Sequence, residues 1–244
     1  MLNLTLALLT LLSLGSDGVS VSGEYYSGDG LGVNWNLELC QDGTFEFSWD
    51  GCLGNYDHQS GRWDIADGLI TFQVLDRKPD GMDHSLPSSL RPVRWGERLY
   101  LVPADELLEF CNQVNDGAEP RGDPHGLVLL RRDDWMLPVS SSPELPAQFL
   151  AYLLSEPVRG NLVKGDSERA GVVDRGSSQG LRPGMILYSQ GSLDLFEYRV
   201  VSTSPDSCQV EAVYECDVIL DGPVSTLLWD ETLRPNAEPE PCPD

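Results

Sequence analysis

Val33-Asn-Trp-Asn-Leu-Glu-Leu39, Gln41-Asp-Gly43, Thr44-Phe-Glu-Phe-Ser-Trp49, Asp50-Gly51, Gly61-Arg-Trp-Asp-Ile65, Asp67-Gly68 and Leu69-Ile-Thr-Phe72 follow one another with little between them. Leu37 and Leu39, then Phe45, Phe47 and Trp49, recur every second residue with polar residues in the gaps. That period belongs to a strand with one dry and one wet face. Asp-Gly pairs between such runs are turn signals. The stretch from Tyr25 to Phe72 is therefore expected to be an antiparallel meander.

Outward from this stretch the same pattern continues. Pro92-Val-Arg-Trp95 and Arg98-Leu-Tyr-Leu-Val102 read as a hairpin turning at Gly96-Glu97. The period then changes. Leu107, Phe110, Cys111 and Val114 recur at helical spacing, which predicts an amphipathic helix over Asp105–Asn115 ended by Gly117. Gly126 to Arg131 reads as a closing strand. Antiparallel strands with one helix predict a barrel or strongly curved sheet over residues 22–135, the helix covering an opening or an edge.

Residues 136–156 read as a linker and a short helix. Pro146 suits the first helical position, and Pro157 stops extension through its predecessor. About six short runs between 157 and 230, among them Met185–Tyr188 and Tyr198–Ser202, predict a second small barrel. Residues 231–244 are acidic and Pro-rich and read as a disordered tail. The fold class expected is thus mainly β, with two small antiparallel barrels or curved sheets and one or two short helices.

Charge and leader constrain the setting. Thirty-nine Asp and Glu face 16 Lys and Arg, a formal net charge of -23. Such a surface repels phosphate backbones and anionic lipid, so nucleic-acid partners are not expected. Leu2–Leu14 is an apolar run followed by Gly15 and Ser16. It is too short for a membrane span and fits a signal peptide over residues 1–15, with no Lys or Arg ahead of it. The mature chain is expected to be secreted or periplasmic, without a membrane span.

Six cysteines, Cys40, Cys52, Cys111, Cys208, Cys216 and Cys242, form no C-x-x-C pair. In an oxidising compartment they suggest disulfides, with candidates among Cys40, Cys52, Cys208 and Cys216. Several can equally be buried small residues.

The run Val173-Asp-Arg-Gly-Ser-Ser-Gln-Gly-Leu-Arg-Pro-Gly-Met185 resembles a loop of small bacterial envelope β-barrels, such as the periplasmic part of rod-shape-determining MreC and the C-terminal part of a flagellar assembly protein. The first half, with Gly28-Asp-Gly-Leu-Gly32 and Arg94-Trp-Gly-Glu-Arg-Leu-Tyr-Leu101, is similar to uncharacterised exported bacterial proteins and is lipocalin-like in outline. These likenesses imply a fold and an envelope setting, and carry over no catalytic residue.

Chemistry-bearing motifs are sparse. His58, His84 and His125 each read as sitting in a polar loop with no helical-turn spacing between any two, so no metal site is expected. Asp83-His-Ser85 is adjacent in sequence but does not make a triad, and no G-x-S-x-G elbow occurs. Asp29, Asp42 and Asp50 lie at turns without EF-hand spacing. Arg121-Gly-Asp123 reads as accidental. No cofactor is called for. The remaining candidate feature is an aromatic set, Trp35, Phe45, Phe47, Trp49 and Trp63. It reads first as core and alternatively as the lining of a ligand cavity. The expected function is an exported, non-catalytic binding or interaction module, its partner a protein or small molecule. The alternatives are a carboxylate-based hydrolase and a lipocalin-like carrier of an apolar ligand.

Overall fold

The computed structural model describes residues 20–28, 30, 32–78, 86–117, 120, 127–139, 142–191, 195–215 and 218–233. The leader, the tail beyond residue 233, Cys216, Cys242, Asp29, His84, His125 and Arg121–Asp123 lie outside them.

Two closed antiparallel barrels make up the fold. The first runs β1 (Gly23–Gly28), β2 (Val33–Leu39), β3 (Thr44–Gly51), β4 (Gly54–Ala66), β5 (Leu69–Arg77), β6 (Ser89–Trp95), β7 (Arg98–Pro103) and β8 (Leu129–Arg131). Each strand pairs with the next, and β1 pairs back to β8 through Tyr25↔Arg131 and Tyr26↔Leu130. The expected meander is present, its turns set by Asp-Gly chemistry. At the β4–β5 turn Asp67 and Gly68 both take positive φ, 53° and 71°, the pattern of a type I′ hairpin.

The alternating apolar residues meet inside. Tyr25, Leu37, Leu39, Phe45, Phe47, Ile70, Leu90, Leu99, Leu101 and Leu129 are all but inaccessible. β7 is apolar on both faces. Leu99 and Leu101 point inward, while Tyr100 and Val102 pack outward with Val93, Leu130 and Phe110. That outward face needs a cover, and α1 (Leu107–Asn115) supplies it through Leu107 and Phe110. The helix was expected over an opening or an edge; it lies on the outer wall, because a two-faced strand leaves apolar surface there and closure leaves no edge.

The second barrel is ordered β10-β13-β12-β11-β14-β9, from β9 (Arg159–Lys164), β10 (Ala170–Val173), β11 (Ile186–Ser189), β12 (Glu197–Thr203), β13 (Cys208–Ala212) and β14 (Gly222–Ser225). Leu162, Val173, Leu187, Tyr198 and Val210 fill it. The loop from Gly176 to Gly184 turns as its glycines suggest, with Gly180 and Gly184 both at φ 92°.

α1 also joins the barrels. Asn112 Nδ2 donates to Gly184 O at 3.2 Å, Tyr188 OH to Asp116 Oδ2 at 3.3 Å, and Leu228 N to Asp116 O at 3.0 Å. Between the barrels a short helix, α2 (Ala147–Leu150), leads to Tyr152 and Leu154, whose backbones are bonded to Asn115.

Disulfides are a correction. None of the described cysteines, Cys40, Cys52, Cys111 and Cys208, forms a disulfide. Cys40 follows β2 at one end of the barrel and Cys52 follows β3 at the other, so the eight residues of β3 hold them about 26 Å apart. Cys208 opens β13, which runs straight through Ala212 and does not turn back. Burial pushes the Cys111 thiol up to about 12 and the Cys208 thiol up to about 11. Native protein treated with a thiol reagent should therefore label Cys52 first and Cys40 more slowly, with Cys111 and Cys208 reacting only on unfolding. Peptide mapping of the labelled sites checks the order, and early labelling of Cys208 would contradict it.

Asp230 locks the chain end to β9. Its side chain is almost fully buried and accepts from Arg159 Nε at 2.6 Å, Ser225 Oγ at 2.9 Å and Thr232 Oγ1 at 2.6 Å. Burial alone would raise its pKa; the Thr232, Arg159 and Ser225 donors together hold it below the usual carboxylate range. A folded-state pKa below the unfolded one stabilises above the unfolded pKa, about 3.9, and that contribution is lost as pH falls through the folded value. Urea midpoints of wild-type protein should fall from pH 5 to pH 3 more steeply than those of Asp230→Asn, which lacks this titration. Parallel slopes would remove the assignment.

Candidate functional site

The aromatic set is brought together, as core. Trp35, Phe45, Phe47 and Trp49 are 8, 1, 1 and 5 % exposed, and Trp63 packs partly buried against them. Trp35 and Trp49 stack at 6.4 Å, and Phe45 meets Phe72 edge-on at 4.9 Å. Trp63 Nε1 donates to Cys40 O at 3.0 Å, which ties the β2–β3 turn across the lower end.

That lower end is plugged. Val21 enters the core, and Tyr25 OH donates to Val21 O at 2.7 Å. Arg131 donates to the carbonyls of Ser20 and Ser22 and lies over the Tyr25 ring. Burial pushes the Tyr25 phenol up to about 12 against the opposing pull of Arg131. Asp134 Oδ2 accepts from Leu99 N at 2.8 Å, bringing the chain after β8 across the same end.

Toward the upper end the interior becomes polar. Register places Ser27 opposite Trp35, Trp35 opposite Trp49, and Trp49 opposite Asp57, one row across β1 to β4. Directly opposed residues have Cβ atoms about 4.5–5.5 Å apart. Ser27 and Asp57 are both fully buried. Asp57 Oδ2 accepts from Gln59 Nε2 at 2.7 Å and lies 3.5 Å from Arg77 Nη2. Asp57 Oδ1 and Ser27 Oγ have no hydrogen-bond partner among the described residues. An unpaired buried polar group of this kind costs about 1–3 kcal/mol.

Two backbone irregularities shape this layer. A bulge makes Tyr56 an extra residue opposite the Trp49–Asp50 step, and its ring meets Trp49 at 4.9 Å. A second bulge makes Leu75 extra in β5, where Gln59 pairs Arg77 but Gly61 pairs Val74. Counting by twos from Ile70 would send Arg77 outward; the extra residue returns it to the interior face beside Gln59. Asp57 was missed in the sequence, although it keeps the phase of Trp63 and that signal could have found it. Arg77 and Ser27 carried no signal that sequence reasoning could use.

The outer wall is different. Glu24 pairs Glu38, and Glu38 pairs Glu46, so three carboxylates stand in one row on the solvent face of β1, β2 and β3. They flank a shallow groove of about 250 Å³ with Asn36, Ser48, His58 and Arg132. Arg132 lies 3.7 Å from Glu24 and donates to Asn36 Oδ1 at 2.6 Å. His58 was expected in a loop but stands within β4 on this face, paired with Ser48, so adjacent Asp57 and His58 lie on opposite sides of the wall. Asp42 Oδ1 accepts from the Thr44 hydroxyl at 2.6 Å, and Asp50 is bonded to Ser48, Asn36 and Asn55, so both act in local turn and sheet chemistry. No group of three His, Cys, Asp or Glu among the described residues could hold a metal ion. No helix among them is long and apolar enough to cross a membrane.

In comparisons with known proteins, no family model, no curated protein and no solved structure matches the chain.

Like charges directly opposed on a sheet destabilise it, and Glu38 stands between two. Glu38→Gln should raise stability by about 0.2–1 kcal/mol at low salt, shrinking in high salt as screening takes over. Denaturant midpoints at two ionic strengths check this; a loss of stability at low salt would refute the repulsion.

Proposed function

We propose that this protein is an exported, non-catalytic binding module whose first barrel reads a small polar ligand in its upper layer. The supporting observation is the row Ser27–Trp35–Trp49–Asp57, where two buried oxygens without partners bracket a stacked indole pair. Buried polar groups in folded proteins are satisfied by protein, water or ligand, so each exception calls for a partner or a physical reason. The row sits away from the plugged end of the barrel.

The apolar-carrier alternative has less support, because Phe45, Phe47, Leu37 and Leu39 already cover one another and leave little wall for an apolar guest. The hydrolase alternative lacks a paired base, since His58 and Asp57 face opposite sides. The bacterial envelope or exterior remains the proposed setting on the strength of the Leu2–Leu14 run, because the described cysteines form no disulfide that would add to it.

The full chain titrated with panels of small amines, amides and carboxylates should show a saturable change in indole emission with at least one class. The same compound should raise the melting temperature, since a ligand at 100 times its Kd stabilises by about 2.7 kcal/mol. Silence across all classes would remove the reading.

A further inference from the structure

We propose that the cleft between residues 151–158 and the second barrel binds the carboxylate of a small organic acid, held by Arg175 and Arg159. This site is separate from the first barrel and independent of its polar layer. The cleft measures about 500 Å³, within the range of small-molecule sites, which occur preferentially where two folded units meet. One side of it is apolar. Leu154 packs on the barrel core, and its Cδ2 would lie 2.9 Å from a Cβ added at Gly180. Leu153 and Pro157 continue that wall.

Two guanidiniums meet at the same cleft. β9 and β10 pair through Val173↔Leu162, and Asp174 N donates to Asn161 O at 3.2 Å, which brings Arg175 level with Gly160. A Cβ added at Gly160 would lie 3.0 Å from Arg175 Cγ, so the Arg175 stem runs over the residue next to Arg159. Arg159 commits Nε and Nη2 to Asp230, at 2.6 and 3.3 Å, and its Nη1 has no partner among the described residues. Arg175 uses only Nη1, which donates to Asp174 O at 2.6 Å and lies 3.3 Å from Asp174 Oδ1. Its Nε–Nη2 edge has no partner among the described residues, and such an edge matches two carboxylate oxygens side by side. The Asp174 contact is an exposed ion pair, a kind that contributes little and yields easily to a competitor. Gln179 Oε1 accepts from Gly176 N at 2.8 Å, so the amide presents its NH2 as a further donor.

The donor set selects the ligand class. An ammonium would face two guanidiniums. A neutral amide offers one oxygen and leaves half of the Arg175 fork unmatched. A carboxylate fills the fork and keeps lone pairs for Arg159 Nη1 or Gln179. Glu156 at the rim and the net charge of -23 weigh most against a multiply charged anion, so a singly charged acid suffers least. Salt screens the distant part of that field beyond about 8 Å at physiological ionic strength.

The test titrates the full chain with butyrate, butyramide and butylammonium at matched ionic strength, reading the Arg175 Nε–H and the Gln179 side-chain amide by NMR. Butyrate should move both signals saturably, and the other two should bind at least about tenfold more weakly, the difference of one charge-assisted hydrogen bond. Arg175→Lys keeps the charge and removes the fork. Read on Gln179, it should weaken butyrate by about tenfold or more while leaving the melting temperature near that of the wild type, since Arg175 is half-exposed. Butyramide binding as tightly as butyrate, an Arg175→Lys variant that binds butyrate unchanged, or the absence of any saturable shift at these two signals would each overturn the site.

Discussion

The β1–β8 pairing is the constraint on which the molecule depends. Two residue pairs, Tyr25↔Arg131 and Tyr26↔Leu130, close eight strands into a cylinder. Before closure, a meander with alternating faces has two edges and a free choice of curvature. After it, every strand residue lies either inside or outside, and the two outer edges of the meander are joined. Tyr25 and Arg131 mark how tightly this is enforced. Arg131 is a pairing residue, lies over the Tyr25 ring, and holds the carbonyls of the segment that plugs the lower end. Closure and plugging are thus one local event.

Strict separation of inside from outside explains why acidic residues behave so differently along one strand. Asp57 and His58 are neighbours in sequence, yet one is sealed with Trp49 and the other lines the outer groove. Outside, water screens Glu24, Glu38 and Glu46, and their repulsion is modest. Inside, Asp57 is where low dielectric makes each missing partner expensive. One acid in the interior therefore carries more functional information than the many on the surface.

Much of the architecture was legible because turn chemistry and period two agree along the first half. Leu37, Leu39, Phe45 and Phe47 announced one face, and Asp67-Gly68 announced the hairpin between β4 and β5. The helix was legible from Leu107 and Phe110, but its location was not. Helical spacing reports which face is apolar and says nothing of what it covers; only the two-faced pattern of Leu99 to Val102 could have placed it on the wall. The cysteines misled for a related reason. Nearness in sequence between Cys40 and Cys52 means separation in space when a full-length strand lies between them. Arg77 was hidden by a single inserted residue. The Leu75 bulge shifts the phase by one, and a one-residue shift exchanges the two faces of a strand.

That bulge also bears on why the polar layer sits where it does. A regular β5 would have directed Asp76 inward, setting a second carboxylate near Asp57 and Gln59. Two carboxylates in one buried layer repel, and the barrel would have had to hold one of them protonated or admit water. Inserting Leu75 sends Asp76 out and Arg77 in, at the cost of exposing an apolar residue, 65 % accessible, on the outer surface. The exchange replaces a repulsive pair with an attractive one, but a loose one: a single contact at 3.5 Å on one oxygen. A purely structural solution would pair both oxygens, as Arg159 does for Asp230. The same chain therefore contains both a complete carboxylate–guanidinium lock and an incomplete one. The incomplete one stands beside stacked indoles, away from the plugged end of the barrel, where a second donor has a carboxylate oxygen left to meet.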